Sequence, residues 1–366
     1  MQDPRAAADT RGRRPPKLPA AITRLGVTKM NELTPETAIE LFLDDKRKTA
    51  AESTVGSYED RLAHFIEWFN TETDYAHLHE LDGMDIRLWR VWRFDDDHAD
   101  AYIKAVQDSL RVFLRWCRDV EAVDAQLPEK VSSPEGGQQR SAEIPADRAT
   151  AILEHLDRYQ YASVEHALFH TLWYCLLRVG GARAIDLGDI DWENDRIQLR
   201  HRPSEGTPLK NEYDSEREIA IRPTTREILR DYVEQNRNDV TDEYGRKPLF
   251  VAPEGTQRPH QNTLRNYIYA LTRPCLHREC PHETTPDQCD ATRRKNWACE
   301  CPSSESTHAI RRGAISWHLR QETGKQVVSD RADVEPDTLD AHYNTLSEGE
   351  KAEVRRSELP DELGGE

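Results

Sequence analysis

The chain has 366 residues, of which 67 are Asp or Glu and 50 are Lys or Arg, so its formal net charge is −17. The acidic residues are dispersed along the chain, which is typical of halophilic proteins, because high salt screens their self-repulsion. This balance argues against generic nucleic-acid binding, which normally needs a basic footprint, although a local basic surface can exist on an acidic protein.

No apolar run approaches the roughly 18 residues that a membrane span needs. The N-terminal residues lack the apolar stretch of a secretory signal. We therefore expect a cytoplasmic protein without membrane contact, long enough for two domains with separate cores.

The first part of the chain is predicted to be a tail followed by a helical domain. Residues 1–30 are basic and show no apolar periodicity, which predicts a disordered arm. This arm is either a solvated tail or a segment that contacts DNA. Order begins at Thr34, a good N-cap, with Pro35 at the first helical position. Apolar residues then recur at helical spacing, so residues 31–127 are predicted to form four or five short helices.

A polar segment rich in Pro, Gly and Ser covers residues 128–146 and predicts a linker. A second domain follows over 147–350, beginning with a helix near Ala146 and a buried helix over Val164–Val179. Residues 351–366 are predicted to form an acidic C-terminal tail.

Two strand-like runs in the second domain, Arg196–His201 and Glu216–Ile221, indicate a β-hairpin, and Leu249–Val251 is a further strand candidate. Lys210 lies in the polar loop of the hairpin, where an exposed lysine usually has no special role. Arg183 follows two glycines that allow close backbone approach. It either pairs with Asp186, one turn on, or points into a site.

Five of the seven cysteines lie between positions 275 and 301. Without a secretory signal, such a cluster favours metal over disulfides. Structural zinc takes four Cys or His ligands, so we expect zinc to stabilise this insertion. Free thiols are the alternative, because the spacing is irregular and no C-x-x-C pair is present. The expected ligands are Cys275, Cys280 and Cys289, then Cys299 or Cys301, with His282 in reserve.

The segment from Thr307 to Tyr343 contains the residues best suited to phosphate chemistry. His308 and Arg311 are three residues apart and therefore share one face of a helix. Such a pair suits a phosphate, because Arg clamps two oxygens and His moves a proton near neutral pH. Tyr343, brought to the same phosphate, could act as a nucleophile.

This ordered set resembles the tyrosine recombinase (phage integrase) family. The family's first Arg lies in a Gly-x-Arg-x-x-Glu turn, matched here by GARAID at 181–186 with Asp in place of Glu. Lys210 stands at about the family's spacing on the hairpin, and HAIR at 308–311 matches its His-x-x-Arg. Tyr343 follows at the expected distance. The Cys-rich insertion and the ending DAHYN are similar to integrase-like proteins of halophilic archaea.

The resemblance implies a mainly α fold with a small antiparallel β-sheet in the catalytic domain. A helical SAM-like core-binding domain over 31–127 and a mixed α/β catalytic domain over 147–350 would form a two-domain C-clamp on double-stranded DNA. It also implies site-specific recombination through a 3′-phosphotyrosyl intermediate, with no cofactor for catalysis. The chain would act as a homodimer or homotetramer assembled on DNA.

The resemblance also implies the role of each site residue. Tyr343 would attack the scissile phosphodiester, and Arg183 and Arg311 would bind its non-bridging oxygens. Lys210 would protonate the leaving 5′-oxygen, and His308 would assist proton transfer from the tyrosine.

One position departs from the family, which usually has a His or Trp about nine residues before the Tyr. Here residues 331–334 read RADV, so either Asp333 or Arg331 takes that place or the second donor to the phosphate is missing. This departure and the acid-rich surface leave open a non-catalytic DNA-binding relative of the integrases. The shared phosphotyrosine step leaves open a second alternative, an enzyme that nicks and reseals one duplex as type IB topoisomerases do. A zinc-dependent hydrolase is disfavoured, because Cys-rich donors suit a closed structural site.

Overall fold

The computed structural model describes residues 30–94, 98–134, 142–282, 284–321 and 323–335, together with Leu339, Gly349 and Ala352. The chain divides into two compact units, Met1–Gln139 and Arg140–Glu366. The border falls within 128–146, the segment predicted as a linker. Most of the predicted basic arm and acidic tail lies outside the described residues.

The described part of the first unit is helical. Its helices are α1 Pro35–Lys46, α2 Glu52–Glu72, α3 Gly83–Arg93 and α4 Asp100–Asp119, with 3-10 turns at Leu78–Glu80 and Leu127–Lys130. Thr34 caps α1 as predicted, because its hydroxyl accepts the Thr37 N–H at 3.3 Å.

Aromatic side chains form the core of the first unit. Phe42 meets Phe113 edge-on with 5.5 Å between ring centroids, and Phe65 meets Trp89 edge-on at 6.0 Å. This geometry places the positive edge of one ring against the negative face of another. Leu127 and Val131 are also buried in this core, so the start of the predicted linker belongs to the first unit.

The second unit is mixed α/β. Its helices are α5 Ala146–Tyr159, α6 Val164–Cys175, α7 Val179–Ala184, α8 Pro223–Asp231, α9 Gln261–Leu271, α10 Asp290–Arg293, α11 Thr307–Arg320 and α12 Lys325–Ala332. A π-helical turn, Tyr232–Asn236, extends α8. None of the helices in the described part of the chain is long and apolar enough to cross a membrane.

The predicted hairpin is part of a small antiparallel sheet. Its strands are β1 Ile190–Asp191, β2 Arg196–Leu199 and β3 Arg217–Ala220, in the order β1-β2-β3. Ile197 of β2 lies opposite both Ile190 and Ile219, and this apolar row is buried in the unit's core. The candidate strand Leu249–Val251 is not a strand, although the Leu249 N–H donates to the Ile185 carbonyl at 2.9 Å.

The helix predicted over Val164–Val179 is interrupted. It ends at Cys175, because Leu176 adopts the left-handed conformation with φ 55°, and α7 begins only after Arg178. Nearly every residue of α6 is buried, so the interruption lies in the interior of the unit. Its partners are described with the site below.

The end of the predicted linker packs tightly on α11. The Ile144 N–H donates to the Ala309 carbonyl at 3.1 Å. A Cβ atom added to Gly313 would lie only 2.1 Å from the Ile144 carbonyl oxygen. Glycine is therefore required at 313 by the close approach of another backbone.

We predict that Gly313→Ala lowers the free energy of unfolding by about 1–3 kcal/mol, the usual cost of overpacking. Urea denaturation would measure this loss. Gly181→Ala is the matched control, because a Cβ atom there meets nothing within 4 Å. The control should be neutral or more stable by about 0.5–1 kcal/mol. Equal stability of the two variants would contradict the packing described here.

Candidate active site

The interruption between α6 and α7 is bound by Arg311. The last carbonyls of a helix have no helical N–H partner, and the Arg311 guanidinium donates through Nη1 to the carbonyl of Leu176. Its Nη2 donates to the carbonyl of Ala332 at the end of α12. Arg311 is only 5% exposed. Burial, followed by the charges of Arg178 and Arg217, lowers the pKa of its guanidinium.

Arg178, the N-cap residue of α7, lies beside Arg311. Its Nη1 is 2.5 Å from Oδ2 of Asp333, and its side chain remains 29% exposed. A guanidinium has more N–H donors than this one contact uses. Arg178 can therefore still bind a ligand from the solvent side.

Asp333 accepts hydrogen bonds from several segments of the second unit. It follows α12 in the left-handed conformation with φ 53°. Besides Arg178, its Oδ2 accepts from the Ser215 hydroxyl at 2.8 Å, and its Oδ1 accepts from Asn211 Nδ2 at 3.1 Å. Burial raises the pKa of Asp333, but the bonds from Ser215 and Asn211 and the charge of Arg178 outweigh it, so the net shift is downward. Asp333 is thus a carboxylate at neutral pH.

Arg217 adds a third guanidinium to the group. Its Nε and Nη2 donate to the Arg331 carbonyl at 3.2 and 3.1 Å, and its Nη1 donates to the Ser215 carbonyl at 2.8 Å. In the described part of the chain, Asp333 is the only carboxylate that forms an ion pair with Arg178, Arg217 or Arg311. The site therefore carries excess positive charge, which a bound anion would compensate.

His308 lies one turn before Arg311 on α11, with its side chain exposed. Although the ring reaches solvent, desolvation by the surrounding residues, and then the charges of Arg311 and Arg265, lower the pKa of His308 from its ordinary value. The imidazole is therefore neutral at neutral pH and can accept a proton.

Arg183, predicted as the first phosphate-binding Arg, is not part of this group. Its Nε donates to the Pro259 carbonyl at 2.8 Å, and its Nη1 donates to the Gly206 carbonyl at 2.6 Å. Arg183 follows Arg178 by five residues in a helix of about 3.6 residues per turn. Its side chain therefore projects from a different face of α7. The structure places Arg178, not Arg183, beside Arg311.

Arg183 does not pair with Asp186 either, because Asp186 belongs to a separate ion network. Arg246 binds Asp186 at 3.3 Å, and Arg258 binds both Asp186 and Asp242. Arg258 also donates to the Arg183 carbonyl at 2.7 Å. This balanced network stabilises the fold beneath Arg183.

The other predicted site residues lie at different places in the structure, or outside the part that it describes. Lys210 is exposed, directly before Asn211. The guanidinium of Arg331 donates to the Tyr174 carbonyl at 3.0 and 2.8 Å, away from Asp333. Of the two candidates for the place of the family's His or Trp, Asp333 therefore lies beside Arg178 and Arg311. Its carboxylate accepts hydrogen bonds there and does not donate one. Tyr343 lies outside the described residues.

The cysteine cluster lines one cavity of about 640 Å³. Its walls include Cys275, Cys280, Cys289, Cys301 and His282, whereas Cys299 is exposed outside it. The buried Nε2 of His282 has no hydrogen-bond partner. Burial raises the pKa of the Cys275 thiol, and the neighbouring cysteines add to this shift although the charge of Arg273 opposes it. Among the described residues, no three His, Cys, Asp or Glu side chains are already grouped closely enough to hold a metal ion.

Four residues of the site were missed from the sequence: Asn211, Ser215, Arg217 and Arg178. Arg178 had a signal, since it is the only charge in the apolar run CLLRV at 175–179. The others lie in a polar connection without periodicity, and nothing in their local sequence marks them.

No protein-family model matches the chain, and no curated protein matches it. Several solved structures match the chain. The Tn1549 transposon integrase in complex with transposon right end DNA matches at TM-score 0.60 and 12% identity, covering 89% of this chain and all of that one. A λ integrase dimer bound to a COC′ core site matches at TM-score 0.59 and 11% identity, covering 85% and 95%. A λ integrase tetramer bound to a Holliday junction matches at TM-score 0.58 and 11% identity, covering 85% and 78%.

We predict that sulfate stabilises the protein against thermal unfolding through this site. At a sulfate concentration of about 100 Kd, the gain should approach about 2.7 kcal/mol, measured against chloride at equal ionic strength. Arg178→Ala should abolish the increment, because it removes the most accessible guanidinium. Arg183→Ala should keep the increment even if its baseline stability falls. Loss of the increment in both variants, or in neither, would contradict the assignment.

Proposed function

Because the chain has the fold of the tyrosine recombinases, we propose that it is a site-specific DNA recombinase of the integrase type, acting in the cytoplasm. The observation that carries the proposal is the group of Arg178, Arg217 and Arg311, in which Asp333 is the one carboxylate that forms an ion pair among the described residues. Its excess positive charge suits a phosphodiester, and His308, neutral at neutral pH, lies one turn from Arg311.

The proposed reaction exchanges one phosphodiester for another. The Tyr343 oxygen forms a bond to the scissile phosphorus while the bond from phosphorus to the 5′-oxygen breaks. This leaves a 3′-phosphotyrosyl protein and a free 5′-hydroxyl. A 5′-hydroxyl from a second strand then attacks the phosphotyrosine and releases Tyr343. Because bond energy is conserved, the chemistry needs no ATP.

Each site residue has a role in this proposal. Arg178 takes the role predicted for Arg183, and with Arg311 it stabilises the negative charge on the non-bridging oxygens of the transition state. His308 accepts the proton of Tyr343, whose free pKa near 10 makes unaided attack slow. Lys210 donates a proton to the leaving 5′-oxygen.

The proposed partner is double-stranded DNA, bound by a homodimer or homotetramer. The matched λ integrase structures contain a dimer on a core site and a tetramer on a Holliday junction. Strand exchange between two duplexes requires several active sites on paired DNA, which agrees with such an assembly.

We predict that the protein forms a covalent DNA adduct and that Tyr343→Phe does not. The assay uses nicked duplexes tiled across the DNA that flanks the gene, at high salt, because a nick lets the short fragment leave and traps the intermediate. Denaturing electrophoresis detects the adduct. Arg178→Ala and Arg311→Ala should slow its formation by about 10²–10³-fold, the usual loss of one transition-state donor.

The alternatives give other results in the same assay. An adduct that persists in Tyr343→Phe would disprove the nucleophile assignment. Sequence-specific binding without any adduct would indicate a non-catalytic relative. Relaxation of a supercoiled plasmid without exchange between duplexes would indicate a type IB topoisomerase-like enzyme.

We also propose that zinc is bound by Cys275, Cys280, Cys289 and Cys301. The four thiols that line one cavity support this set, and His282, whose buried Nε2 has no hydrogen-bond partner, is the reserve ligand. Zinc would draw the thiols together and stabilise a segment that has little apolar core, coupling binding to folding. The site would be structural, since four protein ligands leave no open position.

We predict about one zinc ion per chain by elemental analysis, the content of a single closed site. A strong chelator should lower the melting temperature. Cys289→Ser should lose both the zinc and the chelator effect. Cys299→Ser is the matched control, because Cys299 is exposed and outside the cavity. Zinc-free protein of unchanged stability would rule the site out.

A further inference from the structure

We propose that Asp333 is a positioning residue that holds the loop carrying Lys210 against Arg178. The inference rests on the proposed function, because Lys210 acquires its role only in strand cleavage. Its geometry can nevertheless be tested without DNA.

Asp333, Ser215 and Asn211 form a closed ring of hydrogen bonds. The Asn211 backbone N–H donates to the Ser215 hydroxyl oxygen at 3.1 Å, and that hydroxyl donates to Asp333 Oδ2 at 2.8 Å. The Asn211 side chain closes the ring by donating to Asp333 Oδ1 at 3.1 Å. The residue after Lys210 is therefore attached to Asp333 through both its backbone and its side chain.

The residue before Lys210 is held in a different way. Leu209 is 7% exposed, and its N–H donates to His201 Nδ1 at 3.0 Å. Lys210 is thus an exposed residue between two fixed neighbours. Because the connection between β2 and β3 has no strand pairing at this point, Asn211 is held by the Ser215 hydroxyl and by Asp333, which fixes that hydroxyl and the Asn211 side chain.

The same carboxylate also binds Arg178 at 2.5 Å. Hydrogen bonds between charged groups are shorter and stronger than neutral ones. One side chain therefore sets the position of a phosphate-binding guanidinium and of the loop that carries the proposed acid. A misplacement of about 1 Å can slow a reaction by about 10²-fold, so this link is expected to matter for rate.

Two substitutions test the role of the Asp333 carboxylate separately from the role of its left-handed backbone conformation. Asp333 has φ 53°, which glycine adopts without strain and asparagine tolerates better than most residues. Asp333→Gly removes the carboxylate without adding backbone strain. Asp333→Asn keeps the shape and one acceptor oxygen. Asp330→Ala is the control, since its exposed carboxylate accepts from Gln326 on the same helix.

Hydrogen–deuterium exchange tests the attachment directly. The Asn211 amide, which donates to the Ser215 hydroxyl, should exchange about tenfold faster or more in Asp333→Gly, because the loop then loses the charged acceptor of both the Ser215 hydroxyl and the Asn211 side chain. Asp333→Asn should lie between this variant and the wild type, and Asp330→Ala should match the wild type. Unchanged exchange in Asp333→Gly overturns the proposal, whether or not the protein cleaves DNA.

Adduct formation at saturating DNA tests the consequence for Lys210. On an ordinary duplex, Asp333→Gly should lower the rate constant by about 10²-fold with little change in DNA affinity. On a duplex with sulfur in place of the scissile 5′-oxygen, the loss should be smaller, because a thiolate leaves without a proton. Lys210→Ala is measured on both duplexes as well. The difference between its two losses is the rescue by sulfur with which Asp333→Gly is compared.

The outcomes distinguish this inference from the proposed function. No adduct from the wild type contradicts the recombinase proposal, and the exchange experiment still decides the attachment. A normal wild-type rate with equal losses on both duplexes overturns the role of Asp333 in positioning Lys210. Faster adduct formation by Asp333→Gly also overturns it, because the carboxylate would then compete with phosphate for Arg178.

Discussion

The contacts of Arg311 with two helix ends make the site possible. Its guanidinium donates to the carbonyl of Leu176 after α6 and to that of Ala332 at the end of α12. Helix C-termini carry unpaired carbonyls and partial negative charge. They can therefore stabilise a buried cation without neutralising it, so Arg311 keeps a charge that a phosphate can use.

The two arginine-rich groups of the second unit differ in their charge balance. Four carboxylates match four guanidiniums in a network that supports the hairpin: Asp186, Asp189, Glu205 and Asp242 with Arg200, Arg202, Arg246 and Arg258. Among the residues that the structure describes, Asp333 is the only carboxylate that forms an ion pair with Arg178, Arg217 or Arg311. A balanced network gives a bound anion little electrostatic stabilisation, whereas an anion compensates the excess positive charge of the unbalanced group. Charge balance therefore separates structural arginines from candidate functional ones.

The chain's net charge of −17 does not conflict with a positive site. Net charge describes the whole surface and its screening by salt. The candidate site depends on a few guanidiniums held within hydrogen-bond reach of backbone carbonyls, where salt screens much less. A net negative charge and a positively charged group of arginines can thus belong to one protein.

The sequence by itself determined the helices with apolar periodicity, the hairpin, and the His308–Arg311 face, because these depend on neighbours within a few residues. It did not determine which arginine joins Arg311. That depends on the break at Leu176, whose carbonyl binds a guanidinium 135 residues away. The separation of Cys301 from Cys299 and the attachments of Asp333 also arise from distant segments. Only the tertiary structure decided them, because local periodicity carries no information about which chain segments meet.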